Sequence, residues 1–165
     1  RTLMEAIQDI FSLPSHSRVW VYQSDRVLTT SETEKLEAWL SQFIGQWQAH
    51  GKDLMAEARV LLGRFVVFAL DEQVAGATGC SIDKQVHLMK ELGSQLEIDW
   101  FNRMLVVFEK DGSLDQIHMN EFQEMLKSGE VTSQTPVFNN LVSTLAEFQT
   151  HWKTSVDNSW HKQLV

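Results

Sequence analysis

The run Phe65-Val66-Val67-Phe68-Ala69-Leu70 is apolar at every position. A strand alternates its side chains between two faces, so a strand built from this run has no face that suits water. Any fold that contains it must cover it on both sides. Leu105-Val106-Val107-Phe108 repeats the demand further along the chain. The N-terminal helix, the C-terminal segment or a second subunit is expected to provide the missing cover, and the last of these would make a homodimer.

The neighbours of these runs supply the rest of a mixed architecture. Arg18 to Ser24 is rich in β-branched and aromatic residues and reads as a first strand. Thr29 with Glu32, and Ser31 with Glu34, form overlapping capping boxes ahead of an apolar stripe through Leu36, Trp39, Leu40, Phe43, Ile44 and Trp47 that is expected to end at Gly51. Leu54 to Leu62 alternates as a strand does and meets the central run through Gly63, which suits a hairpin. Ile82, Val86, Met89, Leu92 and Leu96 mark a second helix. Arg103 to Phe108 is a further strand, Asp111-Gly112 turns it into a weaker one over Ser113 to His118, and Asn120 with Gln123 is expected to cap a short helix that stops at Gly129. Leu3, Met4, Ile7, Ile10 and Phe11 suggest a helix before Pro14; Leu145, Phe148 and Trp152 suggest another after the Thr144–Glu147 capping box. The order strand, helix, strand, strand, helix, strand predicts an α+β fold: an antiparallel or mixed sheet of about five strands, ferredoxin-like βαββαβ at its centre, with added N- and C-terminal helices. Residues 1–165 are expected to form a single domain on which segment 130–165 packs as an appendage.

Composition narrows the function classes. The formal net charge is −8, and lysines and arginines are scattered rather than clustered. That leaves no electrostatic footprint for nucleic acid or for a membrane surface. A single cysteine cannot form an intramolecular disulfide and fits a reducing compartment. Glu5 and Asp9 stand where a signal peptide would be apolar, and no apolar run reaches the roughly 20 residues of a membrane span. A cytoplasmic protein is expected.

Gly76 to Lys84 is the stretch that most resembles a site. Gly76 and Gly79 free the backbone, Cys80 is the only thiol, and Ser81 offers an N-cap, so the loop delivers polar groups to a helix start. Cys80, with His50 or His161 as base, is the candidate catalytic set for a thiol enzyme. Arg26, Asp71, Glu72, Gly79, Ser81, Asp83, Asn139 and Asn140 are the candidate ligand-binding residues. Arg26, Arg64 and Arg103 lie near strand ends and are expected to pair with the acids. The six histidines lack the helical spacing of a metal site, so neither metal nor cofactor is expected. Gly51-Lys52-Asp53 lacks both the leading glycine and the trailing hydroxyl of a Walker loop, which speaks against ATP hydrolysis by a P-loop.

Several stretches taken together carry a resemblance: Trp20-Val21-Tyr22-Gln23-Ser24-Asp25-Arg26, Ala49-His50-Gly51, Arg64-Phe65, Asp71-Glu72, Gly79-Cys80-Ser81-Ile82-Asp83, Val137-Phe138-Asn139-Asn140-Leu141-Val142 and Ser159-Trp160-His161. With these the chain resembles, over nearly its whole length, a family of small uncharacterised bacterial proteins, many of which carry the label "ABC transporter ATPase". The resemblance implies a shared fold and assigns no residue a role. The leading expectation is a binding module for a small molecule or a protein partner, with a polar pocket where the 76–84 loop meets the C-terminal tail; the alternative is the cysteine or acid/base enzyme.

Overall fold

The computed structural model describes residues 3–165. In chain order the elements are α1 (Leu3–Gln8), β1 (Arg18–Gln23), α2 (Thr30–Gln46), β2 (Gln48–Ala49), β3 (Lys52–Asp53), β4 (Ala56–Leu61), β5 (Phe65–Leu70) and α3 (Gly79–Leu96). They continue with β6 (Leu105–Lys110), β7 (Ser113–His118), α4 (Met119–Ser128), β8 (Pro136–Phe138), α5 (Leu145–His151) and β9 (Lys153–Ser155), followed by two 3-10 turns at Val156–Asn158 and Trp160–Leu164. The fold is α+β with antiparallel sheets.

The strands divide into three sheets, ordered β1-β5-β4, β2-β3 and β7-β6-β8-β9, where one sheet of about five strands was expected. In the first sheet β5 runs antiparallel to both neighbours. β1 and β4 are therefore parallel, joined through α2 with β5 inserted between them, a split βαβ unit. β6 does not extend that sheet along β1. It pairs instead with β7 and β8, and the physical reason is its sequence. Val106, Val107 and Phe108 are all buried, so β6 needs cover on two faces as β5 does. It gains that cover by lying over the first sheet rather than at its edge.

The two faces of β5 are closed within the chain. Val66 and Phe68 meet Leu36 and Leu40 of α2 and Met89 and Leu92 of α3. Phe65, Val67 and Ala69 meet Val107 of β6, Phe138 of β8 and Leu145, Phe148 and Trp152, with Met4, Ile7 and Ile10 packed alongside. All six residues of β5 are fully buried, so its two apolar faces need no second subunit. Val106 and Phe108 turn the other way, against Phe122 of α4, Val131, Val137 and Val156. Residues 137–156 thus belong to both cores.

Local chemistry sets the boundaries. Three hairpin turns place consecutive residues at positive φ: His50-Gly51 (52°, 75°), Leu62-Gly63 (57°, 61°) and Asp111-Gly112 (52°, 79°). This backbone pair matches the twist of the flanking strands, and glycine takes the second position at no steric cost. Gly51 accordingly turns β2 into β3; α2 stops earlier, at Gln46. Thr29 and Glu32 form the reciprocal capping box of α2. For α3 the N-cap is Thr78 rather than Ser81, and for α4 it is His118, whose Nδ1 accepts from the Asn120 N–H, rather than Asn120 itself. Gly93 lies inside α3 because a Cβ there would sit 2.4 Å from the Ile98 carbonyl oxygen; the chain leaving the helix crosses directly over it.

Candidate functional site

A cavity of about 600 Å³ lies along the outer edge of β1. Half of that edge is already occupied. The Val19 N–H donates to the Ser143 carbonyl and the Leu145 N–H to the Ser17 carbonyl, so residues 143–145 run beside the start of β1. The chain then bends away through a turn in which Asn139 Oδ1 accepts from the Leu141 N–H. In an antiparallel ladder alternate residues direct their peptide groups to opposite edges. The Val21 peptide group therefore faces outward on the same side as that of Val19, into the space the bend leaves.

Four segments distant in sequence close this space. β1 gives Val19 to Gln23; the connector between α3 and β6 gives Trp100, Phe101, Asn102 and Arg103; the turn after β8 gives Asn140, Leu141 and Val142; the last 3-10 turn gives Trp160 and His161. Val86 of α3, Leu105, Met119 and Phe138 complete the wall. Two apolar groups stand open at the rim, Phe101 at 37% and Leu141 at 70% exposed. Among the described residues the wall contains no aspartate or glutamate, in a chain with 22 of them against 14 lysines and arginines.

The polar groups of the wall are held in fixed orientations. The Trp152 indole N–H donates to Asn140 Oδ1 (3.0 Å), Asn140 Nδ2 donates to Gln23 Oε1 (3.0 Å), and Gln23 Nε2 donates to the Leu105 carbonyl (3.0 Å). An indole can only donate and a carbonyl can only accept, so both ends of the chain of bonds dictate which way each amide points. The Tyr22 hydroxyl donates to Gln85 Oε1 (2.6 Å), and burial pushes the phenol up to about 12. Its ring meets Phe101 edge-on at 5.7 Å.

His161 is almost wholly buried, stacked on Trp160 with ring centroids 3.9 Å apart and its Nδ1 2.5 Å from Ser159 Oγ. Desolvation pushes the imidazole down to about 4, so the ring is neutral at pH 7. Arg103 is exposed and, alone among the described arginines, has no ion pair or side-chain hydrogen bond: Arg18 meets Glu72, Arg26 meets Glu32, Arg59 meets Glu37, and Arg64 meets Gln116.

The 76–84 loop lies elsewhere: none of its residues lines the cavity. Its polar groups satisfy one another. Thr78 and Ser81 cap the helix reciprocally (Thr78 N–H to Ser81 Oγ 2.8 Å, Ser81 N–H to Thr78 Oγ1 3.2 Å). Glu72 accepts from the Ala77 N–H at 3.0 Å, and Asp71 accepts from the Gln73 N–H at 3.0 Å. The buried Trp47 indole donates to the Ser81 carbonyl. A Cβ at Gly79 would meet nothing within 4 Å, and one at Gly76 only ordinary contact at 3.7 Å, so neither glycine is required by a clash.

Of the residues singled out in the sequence, Asn140 and His161 reach the cavity, while Asn139 shapes the turn beside it. Cys80 is exposed with no hydrogen bond to a histidine, His50 is exposed in the β2–β3 turn, and His161 is buried at the cavity, so no thiol–imidazole pair forms. Asp83 sits in a shallow surface groove with Phe43, Lys84 and His87. Arg26 binds Glu32 through two bonds (2.8 and 2.6 Å) and the Leu96 carbonyl (2.6 Å), tying the start of α2 to the end of α3; it holds Glu32 down at about 2. Neither it nor Arg64 nor Arg103 pairs with Asp71 or Glu72; Arg18 approaches Glu72 at 3.8 Å and His16 approaches Asp71 at 3.9 Å.

Gln23, Trp100, Phe101 and Trp160 escaped sequence reasoning as site residues. One signal was there: Trp100-Phe101-Asn102-Arg103-Met104 is an apolar-rich stretch between a helix and a strand, and residues of a connector face solvent or a cavity more often than a core. Among the described residues no helix is long and apolar enough to cross a membrane. Comparison with protein-family models, with curated proteins and with solved structures gives no significant match.

Proposed function

We propose that the chain is a cytoplasmic binding module for a small molecule and that the cavity beside β1 is its site. The observation that carries this reading is the lining: Trp20, Tyr22, Trp100, Phe101 and Trp160 with a few oriented amides, and no carboxylate, in a strongly acidic chain. Small-molecule sites are concave, of roughly 300–1,000 Å³, mostly apolar and aromatic, with a small number of placed polar groups. The volume, about 600 Å³, falls inside that range. The wall is also built for rigidity, since the amides are locked end to end and the aromatic rings pack on one another. A rigid, preformed site loses little conformational entropy on binding.

The cavity offers no nucleophile with an adjacent base. Its histidine is neutral and bonded to a serine two residues away that caps the same turn, and this favours binding over covalent chemistry. The β1 edge of the three-stranded sheet forms one wall of the site.

Two-dimensional NMR of the labelled chain with a neutral bicyclic aromatic, 2-naphthol, tests the assignment. Addition is expected to shift the indole N–H signals of Trp100 and Trp160 before others, and Val86→Phe, which fills the cavity from α3, is expected to abolish those shifts. Shifts scattered over the surface, or unchanged binding to Val86→Phe, would overturn the site.

A further inference from the structure

The groups on the cavity wall select for one kind of ligand. We infer that the ligand is an aromatic carboxylic acid whose anion is held by Arg103, with its ring body between the aromatic walls; this rests on the cavity being the binding site.

Charge points that way first. Arg103 lines the cavity and has no ion pair or side-chain hydrogen bond among the described residues, in a chain whose acids outnumber its bases, and no described carboxylate lines the wall beside it. The other described arginines are each tied to a partner side chain. A planar guanidinium offers paired N–H groups that match a carboxylate in two parallel bonds.

Hydrogen-bond capacity points the same way. The bonds from Trp152 through Asn140 and Gln23 to Leu105 give each amide oxygen one donor and leave one N–H on each amide without an acceptor. Asn102 Oδ1 accepts from the Met104 N–H, which likewise leaves its amide nitrogen as the spare group. Ser159 Oγ accepts from the His161 N–H and lies 2.5 Å from the ring Nδ1. Each of these amide oxygens already has a donor, whereas the spare N–H groups of the amides and of Arg103 have no acceptor among the described residues, and they call for one. One arginine and a handful of single N–H groups suit a singly charged planar anion better than a phosphate, which draws several cations.

The test uses the full chain and three matched probes, 1-naphthoate, 1-naphthamide and 1-naphthylmethylamine, titrated while the indole signals of Trp100 and Trp160 are followed. The acid is expected to bind about tenfold more tightly than the amide, as an added charge-assisted pair gives, and the amine most weakly. Arg103→Gln is expected to bring the acid to the level of the amide and leave the amide unchanged; Arg103 is exposed and unpaired, so folding does not depend on it. An amide or amine that binds as well as the acid, or an acid indifferent to Arg103→Gln, would overturn the anion assignment and leave the cavity standing as a site. Indole signals unmoved by all three probes at millimolar concentration would overturn the cavity itself.

Discussion

The loop from Asp71 to Lys84 and the cavity beside β1 both gather polar side chains and use them in opposite ways. In the loop the side-chain hydrogen bonds close locally: Glu72 to Ala77, Asp71 to Gln73, Thr78 to Ser81 and back. The polar side chains that remain exposed there are Glu72, Gln73, Cys80, Asp83 and Lys84. In the cavity the bonds span the chain, from Trp152 to Asn140 to Gln23 to Leu105, and each amide keeps a donor in reserve. A group that has spent its capacity on its own neighbours caps a helix; a group held in place by distant partners with capacity to spare can meet a ligand. Polar density alone does not mark a site.

The sharpest way to break that contrast is to cut the cavity loose from the core. Trp152 is fully buried, stacked on Phe148 at 4.8 Å and edge-on to Phe65 and Phe138 at 4.9 and 4.8 Å, and it starts the chain of amide bonds. Trp152→Ala is expected to cost about 3–5 kcal/mol of stability by leaving a large void. Trp152→Phe keeps most of the apolar bulk but leaves Asn140 Oδ1 without its donor, at about 1–3 kcal/mol, and should weaken 1-naphthoate as well. Urea unfolding and probe titration measure both. A Trp152→Phe chain that binds the probe as the wild type does would show that the amides need no anchoring.

A smaller effect comes from acid. His161 holds its ring pKa near 4 when folded, against 6.5 for an unperturbed imidazole. Between those values the unfolded chain takes up a proton that the folded chain refuses, so stability falls as pH drops from about 6.5 to about 4, by at most about 3 kcal/mol. The Glu32–Arg26 pair behaves differently. Its carboxyl is held down at about 2 against 4.5, so that contribution persists at neutral pH and disappears only as pH falls from 4.5 towards 2. His161→Gln should flatten the upper window and leave the lower one. A denaturation series across pH 7 to 4 that is equally steep with and without His161 would remove the buried neutral imidazole from the account.

The elements that could be read from the chain were those whose evidence is local. Thr29–Glu32 and the stripe through Leu36 and Leu40 located α2, and the unbroken apolarity of Phe65 to Leu70 required a central strand with two covered faces. Sheet partnership was hidden, because β6 carries the same apolar signal whether it extends β1 or lies across it; the choice depends on where β8 and α5 fall. The site was hidden for the same reason. Gln23, Arg103, Asn140 and His161 are joined only by tertiary contacts, whereas Thr78, Cys80 and Ser81 are neighbours in sequence and looked like a site through proximity alone. Cap identity slipped by three residues at α3 because Thr78 and Ser81 are both good caps, and the loop geometry decides which one stands outside the helix.

The smallest effect tests the other side of the contrast. Thr78→Ala removes the hydroxyl that accepts the Ser81 N–H and is expected to cost about 1 kcal/mol, an ordinary N-cap loss. Cys80→Ser, at an exposed position with no side-chain partner, should change stability by less than about 0.5 kcal/mol. Neither residue lines the cavity, so the affinity for 1-naphthoate should be that of the wild type in both variants. A thiol reagent should label Cys80 in the folded protein without disturbing the indole signals of Trp100 and Trp160. α3 connects the two regions, since Thr78 caps its start and Val86 lines the cavity two turns along. If uncapping the helix or labelling its first turn weakens probe binding, loop and cavity form one coupled site through α3, and the division between a self-satisfied loop and a receptive cavity fails.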